Sequence, residues 1–201
     1  MKSITSRVLA ALVAGVVAAS TASAQTYSTC YSFIPFGSCA DPVAFTYGSG
    51  GNTATLTFTG QAVTTVTAPT FLDFGTVQVT GVAGTGFTFD GTQTVFMRIS
   101  QTAPSGGSAI VGGLFSGGIT STTSSTAIIN WNSPSRFATI GVATYEVERL
   151  TVGLTPINAS STGAQTIRGF VTVVPEPSTV LLMSAGLAGL GFFGFRRKKN
   201  A

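Results

Sequence analysis

The sequence predicts an all-β fold, an antiparallel β-sandwich formed by the central part of the chain. Residues 25–174 are rich in Thr, Ser, Gly, Val and Phe and poor in Leu, Lys and Glu, which favours pleated sheet over helix. Short segments alternate apolar and polar side chains, and turn-forming residues separate them at intervals of about ten residues. No convincing helical pattern lies between them. This pattern predicts an antiparallel sandwich. It is compatible with a jelly-roll arrangement of the strands but does not determine their order.

Five segments carry the alternation most clearly. In residues 54–59, Ala, Leu and Phe should occupy one face of a strand and three Thr the other. The other segments are 77–80, 94–99, 143–148 and 167–173. Turns are predicted at 48–52, 84–86 and 104–107, and also at Asp90-Gly91 and Gly117-Gly118.

Residues 1–24 are predicted to be a secretory signal peptide. Lys2 and Arg7 give a positive start, residues 8–19 are apolar, and Ala22-Ser23-Ala24 offers small residues for cleavage. We expect signal peptidase to cut after Ala24. The mature chain would then begin at Gln25 and form an exported β-sandwich domain over residues 25–173.

Charge is concentrated at the two ends of the chain. The formal net charge is +4, but residues 25–174 contain only four Arg against five Asp or Glu. A nucleic-acid interface needs Lys and Arg clustered on the folded part. The sequence therefore excludes nucleic acid as a partner.

Cys30 and Cys39 are the two cysteines of the chain and both lie early in the exported part. An even number of cysteines in an oxidising compartment indicates a disulfide, and Pro35 and Gly37 let the intervening loop turn back. The alternative is a pair of metal ligands, but the chain has no His and no further Cys to complete a site. We expect a disulfide, no metal and no cofactor.

Catalytic residues are not expected. Without His, the chain cannot form a Ser-His-Asp or Cys-His arrangement. Glycoside hydrolysis needs two facing carboxylates, and the central part offers five, at Asp41, Asp73, Asp90, Glu146 and Glu148. Glu146 and Glu148 share one strand face, which we interpret as a solvated face paired with Arg149 or a neighbouring Arg. The sequence therefore predicts a protein that is not an enzyme, and an exported hydrolase is the least favoured function.

Trp131 and Tyr145 carry an alternative hypothesis, a carbohydrate-binding module. Exposed aromatic rings on a sandwich can stack on sugars, so a solvent-exposed Trp131 beside Tyr145 would favour it. The competing interpretation places both side chains in the core, because aromatic interiors are expected where Leu is scarce. The core interpretation is favoured.

The C-terminal residues 174–201 form a three-part segment. Residues 174–178 contain Pro175, Glu176 and Pro177, whose prolines favour an extended, exposed backbone. Residues 179–195 are apolar and predict a transmembrane helix, although their length of about 25 Å is short for a bilayer core of about 30 Å. The tail 196–201 contains the basic stop Arg196-Arg197-Lys198-Lys199, which should stay cytoplasmic.

This order of motif, apolar span and basic stop resembles the PEP-CTERM sorting signal, over about residues 174–199. The resemblance implies a substrate of exosortase, a membrane-embedded, transpeptidase-like cysteine protease. Pro175, Glu176 and Pro177 would be its recognition motif, and the segment beyond them would be removed. The resemblance also implies a Gram-negative bacterium that builds exopolysaccharide.

We therefore expect a protein that crosses the inner membrane and is transiently anchored there as a precursor. Its destination would be the cell surface or the extracellular matrix. There it would have a structural or adhesive role in exopolysaccharide or biofilm, with the carbohydrate-binding module as the alternative function.

Overall fold

Alternation of apolar and polar side chains produces a succession of β-strands. The computed structural model describes residues 23–34, 37–120, 125–131, 136–151, 163–174, 183–184 and 186–187. The strands in this part are β1 (Ser23–Ser32), β2 (Val43–Ser49), β3 (Asn52–Gly60), β4 (Thr64–Ala68), β5 (Thr70–Ala83), β6 (Phe87–Ala103), β7 (Gly107–Ile119), β8 (Ile128–Asn130), β9 (Phe137–Ile140), β10 (Ala143–Val147), β11 (Leu150–Thr151) and β12 (Gln165–Val173).

The strands form two antiparallel sheets. The first sheet has the order β11-β8-β7-β6-β1-β4, and the second sheet has the order β2-β3-β5-β12-β10-β9. The predicted all-β class is confirmed. The strand order is not that of an eight-stranded jelly roll, because β6, β7 and β8 follow one another as neighbours within the first sheet.

Strand β3 illustrates how the sequence pattern becomes a sandwich. Ala54, Leu56 and Phe58 are completely buried, as predicted. The threonines between them face outward, and Thr55 and Thr57 form hydroxyl hydrogen bonds to threonines on the neighbouring strands, at 2.8 and 2.9 Å. Each such cross-strand pair on an exposed sheet face stabilises the fold by about 0.2–1 kcal/mol. The apolar face, which faces the other sheet, supplies the larger stabilisation.

Two of the predicted turns are wrong. Asp90-Gly91 lies inside β6, where the register against β7 shifts between Asp90 and Thr94. The Asp90 carboxylate accepts hydrogen bonds from the backbone N–H and hydroxyl of Thr92, so local bonding stabilises an irregularity within a continuing strand. Gly117-Gly118 likewise lies inside β7.

Buried tyrosine hydroxyls connect the two sheets. Ile167 lies opposite two residues of β5, Phe74 and Gly75, so β5 has a bulge at this point. The Tyr31 hydroxyl of the first sheet donates to the Phe74 carbonyl at 2.8 Å, and the Tyr27 hydroxyl donates to the neighbouring Asp73 carbonyl at 2.9 Å. These two tyrosine hydroxyls therefore have hydrogen-bond partners although their side chains are buried in the core.

Ser23–Val173 forms one compact unit. Residues 1–22 and 174–201 are assigned to a second unit, of which the structure describes only 174, 183–184 and 186–187. The compact unit starts two residues before the predicted domain start at Gln25, since Ser23 and Ala24 already pair with Ala68 and Thr67. Cleavage after Ala24 would remove that pairing.

Both ends of the compact unit lie at the same end of the sandwich. Ser23 pairs with Ala68, the last residue of β4, and Val171 pairs with Thr70, the first residue of β5. Only Pro69 separates Ala68 from Thr70. The start of β1 and the end of β12 are therefore close together.

Candidate functional site

The outer face of the second sheet carries two rows of side chains that run across neighbouring strands. The pairing registers of β9, β10, β12 and β5 place one row side by side: Phe137, Glu146, Phe170 and Phe71. The next row contains Glu148, Arg168 and Asp73, since the Glu148 N–H donates to the Arg168 carbonyl and Arg168 pairs with Asp73. Aromatic and charged side chains are thus mixed on one surface.

A cleft of about 720 Å³ opens on this surface, and we call it the charged cleft. Its lining residues are Phe71, Leu72, Asp73, Arg136, Glu146, Glu148, Arg149, Arg168, Gly169 and Phe170. They include six of the nine charged residues between 25 and 174. In a domain with so few charges, this concentration singles out the cleft as the candidate site, and its volume is typical of ligand pockets.

Two ion pairs organise the charged cleft. An Arg136 guanidinium nitrogen lies 2.9 Å from a Glu146 carboxylate oxygen, and the same guanidinium lies 4.9 Å from the centre of the Phe137 ring. Arg168 and Asp73 are 3.9 Å apart, with 70% and 64% of their side chains exposed. Exposed pairs contribute about 0–1 kcal/mol, so the second pair can exchange its partner for a ligand at little cost. The predicted pairing of Glu146 with a neighbouring Arg is confirmed, and that Arg is Arg136.

An aromatic corner completes the cleft. Phe71 is 83% exposed, and its ring contacts the Phe170 ring edge-on at a centroid distance of 5.0 Å. Neither ring is needed to fill the space between the two sheets, because both lie on the outer face. Large exposed aromatic side chains grouped in a cleft are a common feature of binding sites.

Trp131 and Tyr145 do not form an exposed platform. Both side chains are completely buried, and the Tyr145 hydroxyl donates to the side-chain oxygen of Gln101 at 2.6 Å, across the sandwich. The expectation of a sugar contact at these two residues is therefore wrong. The core interpretation holds because Tyr145 faces inward on β10, whereas the adjacent Glu146 faces the charged cleft.

Cys30 and Cys39 form the predicted disulfide, with their Cα atoms 5.6 Å apart. Within the residues that the structure describes, no group of three or more His, Cys, Asp or Glu side chains is arranged to hold a metal ion. The disulfide lies at the end of β1, outside the charged cleft.

Several of the sequence-predicted positions lie outside the described residues. These are Ala22, the motif Pro175, Glu176 and Pro177, and the basic stop Arg196, Arg197, Lys198 and Lys199. The predicted transmembrane helix, 179–195, is described only at 183–184 and 186–187, which are helical. In the part of the chain that is described, no helix has the length and apolar character needed to cross a membrane. Of the predicted cleavage site, Ala24 and Gln25 lie in β1, with Gln25 buried.

The fold and the C-terminal segment define a class of protein: a β-sandwich domain followed by a sorting signal. Strand β12 ends at Val173, and the segment containing Pro-Glu-Pro follows at once. A model of the PEP-CTERM protein-sorting motif matches residues 173–198. The C-terminal segment of the chain is therefore a PEP-CTERM sorting signal. This signal implies export, C-terminal sorting and a membrane-anchored precursor in a Gram-negative bacterium, and it implies processing by exosortase.

Comparison of the chain with curated proteins and with solved structures gave no match. The charged cleft must therefore be interpreted from its own chemistry. The cleft was not predicted, because it is assembled from strands that are far apart in the chain. One sequence pattern nevertheless pointed to this surface. Phe71 and Asp73 lie on either side of the buried Leu72, and Arg168 and Phe170 lie on either side of the buried Gly169, so each pair belongs to the outer face of its strand.

Proposed function

We propose that the protein is a structural or adhesive component of an extracellular polysaccharide matrix. Signal peptidase would remove residues 1–24, and exosortase would recognise Pro175, Glu176 and Pro177 and remove the segment beyond them. The observation that carries this proposal is the sorting motif itself, which begins at the last residue of β12. A β-sandwich joined directly to a sorting signal favours a role as a displayed domain.

A displayed, non-enzymatic role agrees with the chemistry of the carboxylates. A glycosidase acid needs a carboxyl held in its protonated form by apolar surroundings. Asp73 and Glu146 instead lie beside arginines, and the Glu146 side chain is 38% exposed. Glu148 is also exposed. These surroundings favour ion pairing over hydrolysis, and we propose that the cleft does not catalyse a reaction.

The sorting proposal is tested by intact-mass analysis of the protein from its native host, with and without exosortase. We expect the wild-type product to lack residues 1–24 and 180–201, and the exosortase-deficient strain to retain the C-terminal segment. Glu176→Ala should block processing in the wild-type strain. Glu148→Ala removes a carboxylate from the folded domain and is the matched control, which should be processed normally.

The matrix proposal is tested by fractionation of the same cultures. The processed protein should be recovered with the polysaccharide matrix or the cell surface. Wild-type protein that still contains residues 180–201 would refute the processing step. Protein that is processed but recovered entirely as a free component of the medium would refute the matrix role.

A further inference from the structure

We propose that the charged cleft binds an uncharged oligosaccharide. The inference deepens the proposed function, on which it rests for its biological setting, by assigning the polysaccharide contact to one surface. It replaces the contact at Trp131 and Tyr145, which are buried. Three properties of the cleft favour such a ligand: its exposed rings, its balanced charges and its dimensions.

The exposed rings supply an apolar surface for the C–H face of a sugar. Phe71 is 83% exposed, and its ring contacts the Phe170 ring on the adjacent strand, which restricts its orientation. Pyranose rings present axial C–H groups on one face, and this face can pack on an aromatic ring. A ring restricted in this way loses less conformational entropy on binding.

The balanced charges favour an uncharged ligand. Three arginines and three carboxylates line the cleft, so its formal charge is zero. A polyanion such as a uronic acid polymer, a nucleic acid or an anionic membrane would meet as many carboxylates as guanidiniums, and it would gain no net attraction.

Sugar hydroxyls, in contrast, both donate and accept hydrogen bonds. Guanidinium groups are pure donors and carboxylates are pure acceptors, and hydrogen bonds to charged groups are the stronger ones. Arg168 and Asp73 present the two kinds of group side by side, 3.9 Å apart and mostly exposed. One hydroxyl, or two adjacent hydroxyls, can therefore bridge such a pair.

The dimensions suit a short oligosaccharide. The lining residues Phe71, Phe170 and Glu146 lie side by side on three strands, which at a spacing of about 4.8 Å corresponds to about 10 Å. Two linked sugar rings fit along this length. The volume of about 720 Å³ is also within the range of small-molecule sites.

The test uses the full-length chain, purified in detergent micelles, so that it does not depend on processing in a host. The probes are the neutral oligosaccharides cellohexaose, xylohexaose and mannohexaose, with hexagalacturonate as the acidic comparison. Isothermal titration calorimetry measures affinity. We expect at least one neutral probe to bind with a Kd between about 10 μM and 1 mM, and hexagalacturonate to bind at least about tenfold more weakly.

Two variants locate the binding. Phe71→Ala and Arg168→Gln should each weaken the affinity for the bound neutral probe by about tenfold or more. Because the Arg168 side chain is mostly exposed, Arg168→Gln keeps the test valid if Phe71→Ala does not fold. Phe45→Ala is the matched control, since Phe45 is 43% exposed on β2 and does not line the cleft.

Three results would overturn the inference: no binding of any of the three neutral probes at about 10 mM, tighter binding of hexagalacturonate, or equal loss of affinity in Phe45→Ala. The matrix role could still hold in that case, because processing and fractionation are measured separately. Conversely, a protein that binds a neutral probe but is not sorted would refute the proposed function and leave the cleft assignment intact.

Discussion

Replacing Tyr145 by Phe should destabilise the folded domain although it removes a single oxygen atom. The Tyr145 hydroxyl donates to the side-chain oxygen of Gln101 at 2.6 Å, and this bond joins β10 of the second sheet to β6 of the first. Gln101 is 2% exposed, and its amide nitrogen is already occupied by the Ser105 carbonyl at 2.9 Å. Without the hydroxyl, the Gln101 oxygen remains buried and loses its donor.

The cost follows from that loss of a partner. A buried polar group left without its hydrogen bond costs about 1–3 kcal/mol, whereas the loss of the contact volume of one oxygen is small. We therefore expect Tyr145→Phe to lower the free energy of unfolding by about 1–3 kcal/mol. Chemical denaturation measures it directly, with the fluorescence of Trp131 as the probe, because Trp131 is the single tryptophan and is completely buried.

Tyr47 provides the matched control. Its hydroxyl is also buried, but it has no hydrogen-bond partner among the described residues. Tyr47→Phe removes the same atom and leaves nothing unsatisfied, so the free energy of unfolding should stay within about 0.5 kcal/mol or rise. Equal destabilisation by both substitutions would refute the reasoning, because the effect would then come from ring packing and not from the hydrogen bond. Tyr145→Phe should also leave oligosaccharide binding unchanged.

Three further predictions concern stability. Burial raises the pKa of Tyr27 from 10.0 to about 12, which favours the neutral form in the folded state, so the contribution of Tyr27 to the free energy of unfolding should be constant below pH 10 and be lost as the pH rises towards 12. A denaturation midpoint that does not change above pH 10 would contradict this. Gly169→Ala should lower the free energy of unfolding by more than about 2 kcal/mol, because the added Cβ would lie 2.1 Å from the backbone carbonyl oxygen of Glu146. Gly81→Ala is the control and should cost less than about 1 kcal/mol, because the atoms nearest to its added Cβ lie at 3.5 Å. Similar unfolding curves for the two variants would exclude the steric explanation. Replacing both Cys30 and Cys39 by Ser should lower the free energy of unfolding by about 2–3 kcal/mol on the loop-entropy model, and a decrease of less than about 0.5 kcal/mol would show that the short ring contributes little.

Much of the fold was predictable because burial on one face of a sheet forces a period of two. The alternation at 54–59 and 167–173 predicted strands that the structure contains, as β3 and β12. The error at Asp90-Gly91 arose because the same dipeptide serves both as a hairpin turn and as an irregularity inside a long strand. Local sequence does not distinguish these two uses, since the difference lies in whether β7 continues alongside.

The charged cleft was less predictable because it depends on pairing between distant segments. Asp73 and Arg168 are neighbours only because β12 inserts between β5 and β10. Their spacing in the chain carries no information about that insertion. Alternation predicts whether a side chain points into the core or towards solvent. Its neighbour on the next strand can be identified only when the pairing register of the two strands is known.

The position of β12 has a mechanical consequence for a protein retained through its C-terminus. β12 is hydrogen-bonded along one edge to β5 and along the other to β10, and it leads directly to Val174. Tension applied at residue 174 acts along the strand axis and is shared by the hydrogen bonds of both ladders at once, in shear, instead of opening them one after another. Because Arg168 and Phe170 belong to the same strand, part of a pull between a sugar chain bound in the charged cleft, as proposed, and the C-terminal segment would be transmitted directly along β12.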